Sequence, residues 1–547
     1  MQEHLFKFFQ REGDLSFWKF ILIISIISGI SNAGLLALIN GAANTAKEEG
    51  LNYQYFAMYV VVFLIYFITK KYSMVKSAQK VEKIIKNTRA RISNKVVLSD
   101  LVTIENLNKS EIFTRLTRDT DIISQAATIL IGTTQSVIMI FFALVYIFFI
   151  SKLVFFVIFF SLVLTIMIYE TLSQELTQEL DKSNAIENSF FKSLDAIVDG
   201  FKEIKMNSQK KQDILRNHHT ILDTLLELKI YLSNKFTTSI MFTEIFLYIL
   251  LGTIVFVIPH LATEESSTII KSTAALLFIV GPLEASVSIF PLVAKTITSI
   301  KSIDDLETLL DTHRQNKDFS DENALANFGQ FREIVFKDVA FHYDSITNEK
   351  IFGIGPIDFN FKRGEIVFII GGNGSGKSTF IKTLLALYKA KSGNISLDGI
   401  VVDKYNEQIY RDLFSIILTD FYMFDAIHGI ENIDHELLND LLIEMQLNSK
   451  TKYINGKFTT TNLSTGQKKR LALVIAILED KPILVLDEWA ADQDPEFRKY
   501  FYETILIRLQ KQGKTIIAVT HDDAYFKFSD KVLKMDYGKL SLYKGVM

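Results

Sequence analysis

The chain has 547 residues, more than one ordinary domain holds. A formal net charge of −3 argues against a nucleic-acid binder held by bulk charge, and 49% hydrophobic residues exceeds what a soluble protein of this length usually carries. With no cysteine, the chain forms neither disulfides nor thiolate metal sites.

In chain order, about fifteen polar residues come first. The apolar run after them is too long for a signal-peptide core and reads as an uncleaved membrane helix. A helix needs about 20 apolar residues to cross the hydrocarbon core. Six segments qualify: Phe17–Ile39, Tyr55–Ile68 (extending through Tyr72 to Val75), Ala126–Ile150, Leu153–Tyr169, Phe236–Ile258 and Thr273–Val293. A soluble core helix explains any one of them, but not six within the first 300 residues.

Loop charge sets the orientation. Lys70 to Arg118 carries twelve basic residues against four acidic ones, so this connection is expected on the cytoplasmic side. Gly41–Gln54 and His260–Lys271 carry one lysine and two glutamates each and are expected outside. Both chain ends of this multi-pass protein are then cytoplasmic. The basic stretch also reads as a solvated helix face, and nucleic acid is not an expected partner. The inner connections, about 69–125 and 170–235, are long and helix-forming, so the membrane helices are expected to continue into the cytoplasm. Glu244 and Glu284 interrupt the fifth and sixth apolar runs. A carboxylate in lipid costs several kcal/mol unless it meets water or a partner, which makes both candidates for a substrate pathway. Gly281, Pro282 and Pro291 are expected to bend the sixth helix beside Glu284.

The expected domains are a transmembrane domain over 1–310, a polar linker over 311–330 and a soluble α/β domain over 331–547. The last carries the chemistry. "IVFIIGGNGSGKSTFIKTLL" is a buried strand, a glycine loop and a helix start, and it matches G-x-x-x-x-G-K-S from Gly371 to Ser378. Gly371, Asn373, Gly374, Ser375, Gly376 and Thr379 would wrap backbone and side-chain donors around phosphate oxygens at a helix N-terminus. Lys377 would reach the β/γ phosphates, and the Ser378 hydroxyl would bind Mg2+. "PILVLDE" is an apolar strand ending in two carboxylates, with Asp487 suited to Mg2+ and Glu488 to polarising the attacking water.

Between them lies "LSTGQKKR", Leu463 to Arg470. A P-loop, LSxGQ and then strand-Asp-Glu resemble the ABC ATPase family. The resemblance implies that two ATPase domains pair head to tail, with Ser464, Gly466 and Gln467 closing on the ATP held by the partner. It also implies a switch role for His521 in "IIAVTHDD" and adenine stacking by Tyr343 in "VAFHYD", where Phe341 or His342 are alternatives. Asp494 aligns with the loop that crosses to the partner. Asp492 and Glu496 read as solvated or helix N-terminal acids.

Six membrane helices ahead of this domain resemble a half-size ABC exporter of the type IV fold, which implies a homodimer in membrane lipid. "DEWAADQDPEFRKYFY", "FKDVAFHYD", "DGFKEIKMN" and "GPLEASVSIFP" resemble the bacterial cyclic-peptide and siderophore-peptide exporters of the pyoverdine and syringomycin export type. The function so implied is ATP-driven export of a peptide-like or amphipathic compound. The alternatives are a lipid flippase, an importer of the same fold, or an ATP-dependent membrane switch without cargo.

Two departures from the family pattern stand out. Thr419, followed by Asp420, occupies the position of a glutamine that senses Mg2+ and the membrane domain. Either residue acts there through water, or coupling rests on the neighbouring aromatics. Trp489 replaces a proline, and packing at the dimer seam is one candidate for its task.

Overall fold

The computed structural model describes residues 11, 15–45, 53–107, 109–261, 266–312, 331–343 and 352–543. The chain divides into two compact units, one of residues 1–97 and 107–312, the other of 98–106 and 313–547. Residues 98–106, numbered within the membrane half, therefore pack with the second unit. The linker beyond Thr312 lies outside the described residues.

The first unit is helical. Its long helices are α1 (Leu15–Thr45), α2 (Tyr53–Val97), α4 (Thr120–Ile150), α5 (Lys152–Asp199), α6 (Ser208–Gly252), α7 (Ser266–Ser288) and α8 (Phe290–Thr312), while the short α3 (Leu101–Asn106) belongs to the second unit. Among the described residues five helices are long and apolar enough to cross a membrane, and a shorter apolar piece, Lys152–Thr165, opens α5. Each overlaps one of the six expected segments.

The apolar stretch accounts for only part of α2. At 45 residues it is about 68 Å long, roughly twice the hydrocarbon thickness. Past the apolar part, Ser73, Ser77, Val81, Ile84, Thr88 and Ile92 form a buried stripe at helical spacing, so the helix continues as an amphipathic one. Most basic residues on this extension are exposed, but Arg91 and Lys95 turn toward a buried acid. Glu307 of α8, buried, accepts from Arg91 Nε at 2.9 Å and pairs with Lys95 at 3.3 Å.

Ser151 alone separates α4 from α5. Its backbone is extended and its hydroxyl caps α5 by accepting from Val154 N at 3.4 Å. The sixth apolar segment breaks rather than bends. Pro282 sits inside α7, but α7 ends at Ser288 and α8 restarts at Phe290. Pro291, with no N–H to give, stands in the first turn of α8.

In the second unit, an antiparallel sheet is built from β1 (Glu333–His342), β2 (Gly353–Lys362), β4 (Ser392–Leu397) and β5 (Ile400–Val401) in the order β2-β1-β4-β5. The main sheet has β3 (Ile366–Ile370), β6 (Phe414–Ile417), β9 (Ile483–Asp487), β10 (Thr515–Val519), β11 (Lys531–Asp536) and β12 (Lys539–Leu542) in the order β12-β11-β3-β10-β9-β6. A small hairpin, β7 (Tyr453–Ile454) with β8 (Lys457–Phe458), stands apart. All neighbours in the main sheet are parallel except β12. Strands β9 and β10 are buried along their whole length, as expected of a sheet covered on both faces. The carboxyl ends of β3, β10, β9 and β6 consequently open on one edge, where parallel α/β sheets place their ligands.

Candidate nucleotide site

The glycine loop leaves β3 and enters α9 (Lys377–Leu384). Gly374 has φ 75° with open space where a side chain would stand, and a Cβ on Gly376 (φ 109°) would sit 2.8 Å from Ile354. Only glycine suits both positions. Ser375 Oγ is buried with no hydrogen-bond partner among the described residues. Lys377, buried, donates to the loop's own carbonyls at Gly371 (2.9 Å) and Gly372 (3.2 Å). An open cradle, an unpartnered hydroxyl and a buried ammonium at a helix start suit a polyphosphate. Asn373 lies on this loop.

Sheet register assembles the rest. Asp487 ends β9 and pairs with Val519 of β10, while Ile417 of β6 pairs with Leu486. Thr419 and His521, each two residues past its strand, therefore flank the acid pair from opposite sides. Asp487 is buried and accepts from Thr419 Oγ1 at 2.8 Å and from Ser378 Oγ at 3.5 Å. Burial pushes its carboxyl above the usual range. Thr419 and Asp420 are both exposed, and of the two Thr419 bonds the acid pair. Glu488 points the other way, with Oε1 3.4 Å from His521 Nε2 and 3.8 Å from Lys377 Nζ.

Tyr343 follows β1, and its hydroxyl lies 3.2 Å from Thr379 Oγ1. Of the alternatives, Phe341 is core and stacks on Tyr388 at 4.7 Å, which removes it as a free adenine platform.

A relative of similar length decides the family. The chain is 31% identical over 530 residues to "ATP-binding protein SyrD" of Pseudomonas syringae pv. syringae, covering 95% of this chain and 93% of that one. The chain is an ABC exporter. The ABC transporter family model matches residues 354–491. "Mating factor M secretion protein mam1" of Schizosaccharomyces pombe is 32% identical over 216 residues, 38% of this chain and 16% of its own. A solved bacterial Atm1-family ABC exporter with ATP bound superposes with TM-score 0.79 at 15% identity, covering 96% of this chain and 95% of that one, which establishes the shared fold. The protein is thus a multi-pass, ATP-hydrolysing exporter of half size.

In the exporter's signature segment, Ser464 caps α10 (Thr465–Leu478) and forms a capping box with Gln467, with bonds of 3.4 and 3.2 Å. A Cβ on Gly466 would lie 2.5 Å from the carbonyl of Asp492, so the signature glycine is where the acidic loop comes closest. Asp494 caps α11 (Pro495–Tyr500), accepting from Phe497 N at 2.9 Å, and pairs with Arg470 at 2.5 Å. The backbone N–H, then Arg470, hold its carboxyl below the usual range. Asp492 is not simply solvated, since it pairs with Lys469 at 2.6 Å.

Trp489 is not a seam residue. It is 1% exposed within one chain, lies 4.2 Å from the Phe501 ring and donates Nε1 to Lys469 O at 2.7 Å. Lys469 and Arg470 were missed by sequence reasoning. Two cations heading the apolar run "LALVIAIL" were the available signal.

Residues 98–106 add a second unforeseen feature. Leu101 and Val102 pack against the core of the second unit. Glu105 accepts from Lys382 at 2.7 Å and from the hydroxyl of Tyr388, and Asp100 pairs with Lys389 at 3.0 Å. Burial, then the Glu105 bond, push Tyr388 up, so it stays a protonated donor. Tyr388 also lies 3.4 Å from Tyr343 Oη, which makes a polar chain from the 98–106 segment to the edge of the nucleotide site.

The membrane carboxylates do not meet. Glu244 is exposed on α6 and Glu284 half-buried on α7, and neither is joined to another described residue by a hydrogen bond or ion pair.

Proposed function

We propose that the exporter works as a homodimer in a bacterial inner membrane, moving a peptide-like or amphipathic compound out of the cytoplasm. Cyclic peptides and siderophore peptides are the first class to examine. Two composite sites would each take ATP between the P-loop of one chain and Ser464, Gly466 and Gln467 of the other, with Tyr343 against adenine and Asp494 at the contact between chains. Ser378, Asp487 and Thr419 are the oxygen ligands suited to Mg2+, which needs only one or two protein oxygens beside substrate phosphates and which would neutralise the charge on them. Glu488 then polarises the attacking water and His521 holds the γ-phosphate end of the site.

The observation that carries this reading is the arrangement around Glu488. Its carboxylate faces Lys377 and His521 while Asp487, one residue earlier, faces Ser378 and Thr419. Two adjacent acids with separate partners suit separate tasks. ATP closure would reach the membrane helices through 98–106 and through the segment near Gly200, where Phe201 and Met206 are exposed. Cargo would pass near Glu244 and Glu284.

Glu488→Gln tests the assignment. The reconstituted variant should bind and retain ATP while steady-state hydrolysis falls by about 10²-fold or more. Hydrolysis at the wild-type rate would remove Glu488 from the role.

A further inference from the structure

We propose that Lys469 is the positioning residue for Glu488, fixing that glutamate's main chain from the signature helix. The proposal rests on the reading of Glu488 as the base.

Glu488 has φ 50° and ψ 38°, a left-handed conformation in a residue that is not glycine. Such a conformation is strained and persists only where the surroundings impose it. Its own backbone gives one restraint, Glu488 N donating to Val519 O at 3.2 Å. Lys469 gives another. It is 2% exposed, and its Nζ donates to Glu488 O at 2.7 Å while pairing with Asp492 at 2.6 Å. A buried ammonium must find partners, and both of these lie on the loop that follows β9.

The contact is reciprocated. Trp489 Nε1 donates to Lys469 O at 2.7 Å, and Gln493 Nε2 donates to Gly466 O at 3.1 Å. Residues 466–469 of α10 and residues 488–493 are therefore cross-bonded in both directions, with Gly466 allowing the close approach. Lys469 touches the carbonyl of Glu488 and leaves the carboxylate to Lys377 and His521. It acts on where the base stands.

The test uses the full-length exporter in a Trp18→Phe background, where Trp489 is the remaining tryptophan of the two. Lys469→Met keeps the apolar stem and removes the ammonium. It should lower kcat by about tenfold or more with KM for ATP unchanged within about threefold, because the P-loop is untouched and only the base is misplaced. Trp489 emission should move to longer wavelength as the loop loosens. In Glu488→Gln, adding Lys469→Met should give no further loss, since the residue acts through a base already removed.

Wild-type kcat in Lys469→Met, with Glu488→Gln inactive, overturns the proposal and leaves the base in place. Hydrolysis retained by Glu488→Gln removes the base reading instead. A further loss in the double variant also overturns the proposal. Should Lys469→Met not fold, Trp489→Phe decides: it removes the return bond while filling most of the space, and kcat should fall about threefold at constant KM. Wild-type kcat there overturns the proposal.

Discussion

Trp489→Ala separates a core residue from a contact between chains. The side chain is 1% exposed, lies 4.2 Å from the Phe501 ring and 6.3 Å from that of Phe497, and makes one buried hydrogen bond. Truncating a buried aromatic of this size costs about 3–5 kcal/mol, most of it lost packing and the cavity left behind. Lys469 O lies inside α10, so the carbonyl keeps a helical donor and adds little to the loss. For a folding unit of this size, about 4 kcal/mol corresponds to a melting transition roughly 8–16 °C lower. Calorimetry of the full-length exporter in detergent, without nucleotide, reads that shift on the ATPase transition. Trp489→Phe should move it by only about 1–2 kcal/mol, or a few degrees. A transition within about 2 °C of wild type for Trp489→Ala would refute the packing argument. It would return Trp489 to a surface shared between chains.

Three more outcomes follow from the geometry. Thr419→Val removes the hydroxyl that bonds Asp487 and should raise the Mg2+ concentration for half-maximal ATPase activity by about fivefold, leaving Mg2+-free nucleotide binding unchanged; an unchanged Mg2+ titration would shift attention to Asp420. Glu105→Ala cuts the bonds to Lys382 and Tyr388 and should reduce cargo transported per ATP by about fivefold while basal hydrolysis persists; equal losses in both would mean the segment only supports the fold. The carboxyl of Asp494 is held low in the folded state, so the stability it adds is present above the unfolded value of about 4 and lost as pH falls through the folded one. Wild type should therefore melt above Asp494→Asn at pH 7, and the gap should narrow as pH falls below about 4; a gap independent of pH would assign the effect to shape alone.

What could be read in advance was what local sequence encodes. Apolar length gave the membrane segments, and the glycine spacing and strand-Asp-Glu run gave the phosphate cradle and the acid pair. The relation between Thr419 and Asp487 needed the order of parallel strands, since 68 residues separate them. Trp489 was visible as a departure, yet its burial depends on Phe497 and Phe501 curling back over it. The partners of Lys469 and Glu105 were illegible for a related reason. A lone charge reads as solvated until its partner, a main-chain carbonyl in one case and Lys382 with Tyr388 in the other, is brought to it by the fold.

The central claim is ATP-driven movement outward from the cytoplasm. Its most direct measurement is uptake of a labelled amphipathic cyclic peptide into inside-out membrane vesicles, with right-side-out vesicles and Glu488→Gln as controls. ATP-dependent accumulation in inside-out vesicles alone, abolished by Glu488→Gln, is the expected result. Accumulation in right-side-out vesicles with ATP sealed inside, and none in inside-out ones, would contradict it.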